Sequence, residues 1–467
     1  MRIALPGKLS LCGLLAAFVT ITGCTDSSTR LLAPQNASFK GDPLPVPAAP
    51  PSQYIVLFKE GQTDLAEPVA ASGVKLGKMR YVNGAVFGYV NDPDVLRADP
   101  NVDAVVENVP MQLTSTYPTT ALYFQNGWQW NMKQIRADQQ SDAFQGFGTR
   151  VCIIDTGIDE THQDLRGKVV ASTSFVSPEY GYPGPGASPA ALDSGAHGTH
   201  VAGTVTTNGI GVAGAAPGAS LMTAKVFAAT GSAFTAAVWD AISWCTLNNA
   251  DAINMSLGAK INKPFSAGTQ AARDEYEARI SAARNAGTVV VVSAGNDNLP
   301  LEPAAAYEIW PAQIPGAISV GASAATVGPA YNYPFPSPAP NAVFDTKASY
   351  SNFGSGVDIW APGGTNFINR IQANITSTCS SFRVGGGCVG GKFYWGISGT
   401  SMASPHVAGG AAVVTSRLLA MPRGLARTVE VENCLLNTGD AMTVPSTPAR
   451  PRLNLLRATT EPCGGAP

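Results

Sequence analysis

Gly396-Ile397-Ser398-Gly399-Thr400-Ser401-Met402-Ala403-Ser404-Pro405-His406-Val407-Ala408-Gly409-Gly410 is the stretch on which the reading of this chain turns. Gly396 and Gly399 allow a sharp backbone approach, and Pro405 falls in a first helical turn, where a missing N–H costs little. Val407 to Leu419 continues as an apolar helix. Ser401 then stands at a helix N-terminus, whose partial positive charge and free N–H groups favour an oxyanion beside the hydroxyl. Small residues also let helices pack closely, so the stretch by itself is equally a buried packing helix. A nucleophile needs a base and an orienting acid. The search for a base is short, because the chain has four histidines.

Composition narrows the partners before any further motif is read. The 467 residues leave room for two or three domains, and 45% hydrophobic content suffices for a large core. Charged residues make up 13%, about half the usual share, and the formal net charge is −2. Neither nucleic acid nor another strongly charged partner is indicated.

Residues 1–23 read as an export signal. Arg2 and Lys8 are basic, Leu9 to Val19 is apolar yet too short for an ordinary membrane span, and small residues follow. Ile21-Thr22-Gly23-Cys24 resembles a bacterial lipobox, which would place a diacylglycerol on Cys24; the alternative is an ordinary signal peptide with an incidental cysteine. Cysteine arithmetic favours lipidation. With Cys12 lost and Cys24 acylated, Cys152, Cys245, Cys379, Cys388, Cys434 and Cys463 remain, an even set suited to an oxidising compartment. Residues 24–52 turn from polar to proline-rich (Pro43, Pro45, Pro47, Pro50, Pro51) without a helical or strand period, which predicts a semi-extended tether.

Residues 53–113 read as a small α+β unit. Tyr54 to Phe58, Ala85 to Val90 and Val102 to Val106 are strand-like, and Asp92-Pro93 opens a short helix through Ala98. After a polar break at Thr114 to Thr120, residues 118–460 alternate strand and helix. Val151 to Ile154, Ala252 to Leu257 and Thr288 to Ser293 are continuous apolar runs fit for strands buried on both faces. Val238, Ile242 and Cys245, then Tyr276, Ile280 and Ala283, carry helical spacing, and Gly287 caps the second helix. The expectation is an α/β fold: a parallel sheet in three layers with helices on both faces, preceded by the small α+β unit.

Such sheets gather functional groups at the C-terminal ends of their strands. Val151-Cys152-Ile153-Ile154 leads directly into Asp155-Thr156-Gly157-Ile158-Asp159, so a rigid strand holds a carboxylate. Asp193-Ser194-Gly195-Ala196-His197-Gly198-Thr199-His200-Val201-Ala202-Gly203-Thr204 carries a histidine into a helix of small residues.

Asp155, His197 and Ser401, in that order and in those three settings, resemble the subtilisin-like serine protease family, and the resemblance runs over roughly residues 53–460. It implies a serine endopeptidase acting on protein or peptide substrates, with Ser401 attacking the carbonyl, His197 moving the proton and Asp155 fixing the imidazole. Asn296, in Ser293-Ala294-Gly295-Asn296, matches the family's oxyanion-hole amide. Gly231, Ser232 and Ala233, with Ser256, Leu257 and Gly258, match the two backbone segments between which a substrate lies as an added strand, and Ala294 and Gly295 adjoin them. The 53–113 unit resembles the family's propeptide, with a Tyr-Ile-Val start and Val102-Asp103-Ala104-Val105-Val106-Glu107-Asn108 near its end. It would have a ferredoxin-like βαββαβ fold and serve as an intramolecular inhibitor of a self-processing zymogen. The mature protease would be a monomer released to the periplasm or extracellular space, with a membrane link only through lipid on Cys24.

The chemistry implied needs no cofactor. Asp164 corresponds to a calcium ligand in some relatives, but the loop that would complete the site is short (Thr206 to Ile210), so a solvated carboxylate is expected there and calcium elsewhere is left open. His162, His200 and His406 lie at structural positions of the family motifs. Ala259 to Thr269, Thr326 to Thr346 and Gly363 to Phe393 read as insertions, with Cys379 and Cys388 close enough to staple the last. Cys434 and Cys463 would tie the C-terminal tail, whereas Cys152 and Cys245 could pair or stay buried thiols. Two other classes remain beside the protease: a serine esterase, though the Gly-x-Ser-x-Gly elbow is absent, and an inactive surface binding module, though no triad member is missing.

Overall fold

Alternating side chains explain why the central strands need cover on both faces. In Val289–Ser293, Val289 and Val291 enter the apolar layer that holds Val201, Val407 and Ala411, whereas Val290 and Val292 enter the layer that holds Val238, Ile242 and Ile280. Arg150–Asp155 divides in the same way, Val151 and Ile153 against Cys152 and Ile154. The computed structural model describes residues 54–66, 74–78, 83–88, 90, 92–107, 117–182, 189–190, 192–228, 231–324, 346–365, 373–382, 393–442, 444 and 448–463, with the backbone of 18–20.

The main sheet runs, in spatial order, from Val169–Ser174 through Ser220–Lys225, Arg150–Asp155, Ala252–Met255, Val289–Ser293, Ala317–Ala324 and Ile359–Pro362 to Arg450–Arg452, every neighbouring pair parallel. Asp440–Met442 closes that edge antiparallel, and Thr346–Lys347 pairs antiparallel with Ala317–Ala324. The expected α/β class with a mostly parallel sheet is what the chain adopts. His197–Val205 and Thr400–Arg417 cover one face, and Thr235–Leu247 and Ala267–Asn285 the other. Strand order reverses around Arg150–Asp155: the next two strands lie on one side of it and the later ones on the other. In such sheets ligands bind outside the C-terminal strand ends at the switch point, and Asp155 closes the strand at this one.

Upstream, Tyr54–Phe58, Val74–Lys78, Gly84–Gly88 and Val102–Glu107 form an antiparallel sheet, and Asp92 caps the Pro93–Arg97 helix by accepting from the Asp94 N–H. Val56, Phe58, Phe87 and Leu96 make its small core. Ala259–Asn262, read as part of an inserted loop, is one strand of an antiparallel ribbon with Tyr307–Trp310.

Three readings change. Pro405 is the sixth residue of the Thr400–Arg417 helix and not in its first turn, so its missing N–H leaves the Ser401 carbonyl without the usual intrahelical donor. Cys152 and Cys245, left open by the sequence, form a disulfide between the Asp155 strand and the Thr235–Leu247 helix. Asp164 is fully buried, where a solvated carboxylate was expected. Cys434 and Cys463 are paired as expected, and Cys379 is in a disulfide. Cys388, residues 1–17 and 21–53 (with Cys24 and the tether), residues 108–116 and the 325–345 stretch lie outside the described residues.

Candidate active site

The apolar run of Arg150–Asp155 delivers Asp155 to the C-terminal edge of the sheet, completely buried. The Thr156 N–H donates to Asp155 Oδ1 at 2.7 Å, and the same oxygen lies 2.7 Å from His197 Nδ1. A carboxylate on Nδ1 holds the proton there and leaves Nε2 as the basic nitrogen. His197 is the first residue of its helix. Gly198 makes that placement feasible: a Cβ there would stand 2.2 Å from the Gly157 carbonyl oxygen and 3.2 Å from Asp155 Oδ1. The helix start therefore rests directly on the turn that follows Asp155.

Ser401 is the second residue of the Thr400–Arg417 helix, which packs against the His197 helix. Both helices begin at the C-terminal edge of the sheet, so base and serine share one end of the fold. The Thr400 N–H donates to Asn296 Oδ1 at 2.8 Å, and the Thr400 hydroxyl to the same atom at 2.9 Å. A backbone N–H can only donate, so this contact fixes the orientation of the amide, with Oδ1 toward Thr400 and the NH2 group on the opposite edge. The Met402 N–H is taken by Gly399 O at 3.0 Å, and among the described residues no acceptor takes the Ser401 N–H. A Cβ on Gly399 would lie 3.6 Å from both Asn296 Nδ2 and the Ser401 N, and both residues line one pocket, an arrangement suited to a developing oxyanion.

A pocket of about 400 Å³ opens at Ser401. Ser256, Leu257, Gly258, Gly295, Asn296 and Ile309 line it, together with Leu299, Lys260 and Asp297. Gly231 and Ser232 are half-buried and Ala233 is buried. The Ser232–Phe234 edge pairs antiparallel with the backbone of Phe18–Thr20, so it accepts an extended strand. Ala294, between the pocket-lining Ser293 and Gly295, is fully buried, with its carbonyl accepting from Asn352 Nδ2 at 2.8 Å.

The other histidines are fastened to the scaffold. His200 Nε2 faces the carbonyls of Ile375 and Trp395 at 3.0 and 3.1 Å, and burial pushes its pKa down to about 3. His406 faces Met402 O through Nδ1 and Asn131 Nδ2 through Nε2, both at 2.8 Å, and burial lowers it to about 4. His162 Nε2 lies 2.6 Å from Phe393 O, and it too is lowered by burial. Asp164 accepts from the N–H groups of Ile210, Gly211 and Val212 and, at 2.8 Å, from the Tyr394 hydroxyl. Hydrogen donors ring this carboxylate, a surrounding that does not fit a calcium ion. Glu430, Cys434 and Cys463 lie at metal-like spacing, but the two thiols are joined.

Sequence reasoning missed a buried polar group behind the acid: Thr156, Asp193 and Lys225. The available signal was Lys225 itself, a charge closing the strand Ser220-Leu221-Met222-Thr223-Ala224-Lys225.

Comparison with known proteins places this arrangement. Residues 146–451 match the Subtilase family, Peptidase S8. The thermostable alkaline protease of Halalkalibacterium halodurans is 33% identical over 325 residues, covering 69% of each chain. Subtilisin NAT of Bacillus subtilis subsp. natto is 31% identical over 376 residues, covering 78% of this chain and 80% of that one. A protease from Pseudoalteromonas arctica superposes with a TM-score of 0.57 at 29% identity, over 74% of this chain and 99% of its own. The chain therefore belongs to the subtilase family and is a serine endopeptidase.

Proposed function

We propose that the endopeptidase works through Asp155, His197 and Ser401, with Asn296 and the Ser401 N–H as the oxyanion donors. The observation that carries this reading is the 2.7 Å contact of Asp155 Oδ1 with His197 Nδ1 at the head of a helix packed on the Ser401 helix. His197 Nε2 takes the Ser401 proton as Oγ attacks the scissile carbonyl and returns it to the leaving amine, while Asp155 stabilises the imidazolium. The substrate lies as an extended strand between Gly231–Ala233 and Ser256–Gly258, with one side chain in the pocket lined by Leu257, Leu299 and Ile309. Side chains and backbone supply base, acid and oxyanion donors, so the chemistry needs no cofactor. The chain is made as an exported zymogen whose 53–113 unit is its intramolecular inhibitor, with lipid on Cys24 holding the precursor at a membrane. The mature enzyme acts as a monomer in the periplasm or extracellular space.

A fluorophosphonate probe tests the assignment. It should label the wild type and neither Ser401→Ala nor His197→Ala, and casein should be cleaved by the wild type alone. Equal labelling of Ser401→Ala, or hydrolysis of short esters with casein untouched, would overturn it.

A further inference from the structure

We propose that Lys225 and Asp193 are positioning residues that together set the basicity of His197, acting through the single residue Thr156. The proposal rests on His197 being the general base.

Thr156 joins the two charges. Its carbonyl accepts from Lys225 Nζ, which also donates to Leu192 O at 3.1 Å. Its hydroxyl donates to Asp193 Oδ1 at 2.7 Å and accepts the Gly198 N–H at 2.8 Å. Its own N–H holds Asp155 Oδ1. One residue therefore touches the triad acid, the first turn of the base helix, a buried cation and a buried anion.

Asp193 works on the helix itself. Oδ1 also accepts the Ala196 N–H at 2.8 Å, and Oδ2 accepts the N–H and hydroxyl of Thr199 at 2.8 and 2.6 Å. These contacts lie on both sides of His197, so the carboxylate clamps the turn that carries it and places a negative charge at a helix N-terminus. Lys225 closes the strand next to Arg150–Asp155, in register opposite Asp155. Lys225 is 2% exposed and Asp193 is 0% exposed. Water cannot screen either charge well, so both act on the imidazole at a protein-like dielectric. Burial disfavours the lysine cation, and Asp193 and Asp155 oppose that effect. Burial likewise raises Asp193, against its hydrogen bonds from Thr199 and Thr156.

Other ionisable groups around the His197 helix are accounted for. His200 in the same helix and His406 in the Ser401 helix are held neutral by burial. From the loop after Asp155, Asp159 is engaged by Thr161 and Ser381, Asp164 by the loop amides, and burial raises Glu160 and lowers His162. From the Ile375–Thr378 and Tyr394–Ile397 hairpin only Tyr394 is ionisable, and its hydroxyl is on Asp164. Asp155, Asp193 and Lys225 are the charges joined through Thr156 to the first turn of the His197 helix.

Two opposite charges predict two opposite shifts. Removing the cation favours the imidazolium, so Lys225→Met should raise the acid-limb midpoint of kcat/KM by about one pH unit; removing the anion in Asp193→Asn should lower it by a similar amount. Lys225→Arg keeps the charge and should keep the midpoint. Rates are normalised to fluorophosphonate-labelled Ser401, so partial misfolding changes the yield and not the midpoint. Should Lys225→Met give no folded enzyme, the Asp193→Asn and Lys225→Arg midpoints decide. Unmoved midpoints, or shifts in the same direction, would overturn the proposal while leaving the triad intact. A wild type whose activity survives Ser401→Ala would instead overturn the triad reading.

Discussion

Ser256 and Ser401 hold each other through crossed hydrogen bonds: Ser256 Oγ donates to the Ser401 carbonyl at 2.8 Å, and Ser401 Oγ donates to the Ser256 carbonyl at 3.3 Å. The first of these repairs a defect written into the sequence. The N–H that would close a helical bond to Ser401 O belongs to residue 405, a proline. Asn254 steadies the repair, giving its Nδ2 to Ser256 Oγ at 2.9 Å and taking the Ser404 hydroxyl on Oδ1 at 2.5 Å.

Ser256→Ala should therefore leave a buried carbonyl and the Asn254 amide short of a partner, at a cost of about 1–3 kcal/mol. Urea unfolding of Ser256→Ala in a Ser401→Ala background, where self-digestion is removed, reads this directly. An unchanged midpoint would show that the carbonyl finds another donor.

Asn296→Ala should lower kcat by roughly 10²- to 10³-fold, the magnitude a single oxyanion donor carries in a subtilisin-type site, with KM nearly constant. Thr400 holds the amide oxygen, which orients the NH2 group, the donor an oxyanion requires. A rise in KM at constant kcat would assign Asn296 to ground-state binding.

Acid should destabilise the enzyme through two of its buried histidines. Burial holds His200 and His406 at about 3 and about 4 in the fold, below their ordinary value near 6.5, so the unfolded chain binds more protons in between. The stability they support is complete above pH 6.5 and falls by about 1.4 kcal/mol per pH unit for each as pH drops toward the folded values. Urea midpoints of Ser401→Ala should fall steadily from pH 6.5 to 5. A flat profile over that window would refute neutral burial of the pair.

The elements that the sequence revealed are local ones. Val151 to Ile154 needs only its own residues to read as a doubly buried strand, and Asp155 follows within the same stretch. Asp164 was misread because its four donors come from Ile210 to Val212 and from Tyr394, which only the fold brings near. The Cys152–Cys245 bond depends on which face of the strand the Thr235–Leu247 helix covers, a matter of sheet order and not of spacing. Pro405 was assigned to the wrong turn because the helix begins at Thr400, and its missing bond is supplied by Ser256 from a distant strand end.

Maturation should separate the lipid from the protease. Cys24 lies on the propeptide side, and Asp155, His197, Asn296 and Ser401 lie beyond the cleavage region expected between Pro110 and Tyr123. The fold narrows that region. Tyr117 and Tyr123 are buried, the Tyr117 hydroxyl donates to Gly214 O at 3.1 Å, and the Tyr123 N–H donates to Gly211 O at 2.8 Å. Docked backbone of this kind resists the extended conformation a protease needs, so the mature N-terminus should fall between Pro110 and Tyr117. N-terminal sequencing reads that position. Antibodies to each part should then find the propeptide with membranes and the active enzyme in the soluble fraction, while Ser401→Ala stays uncut and wholly membrane-bound. Active wild type that remains on membranes after complete cleavage, or Cys24→Ala precursor that fractionates like wild type, would sink the lipid anchor; cut Ser401→Ala from a protease-free host would sink self-processing.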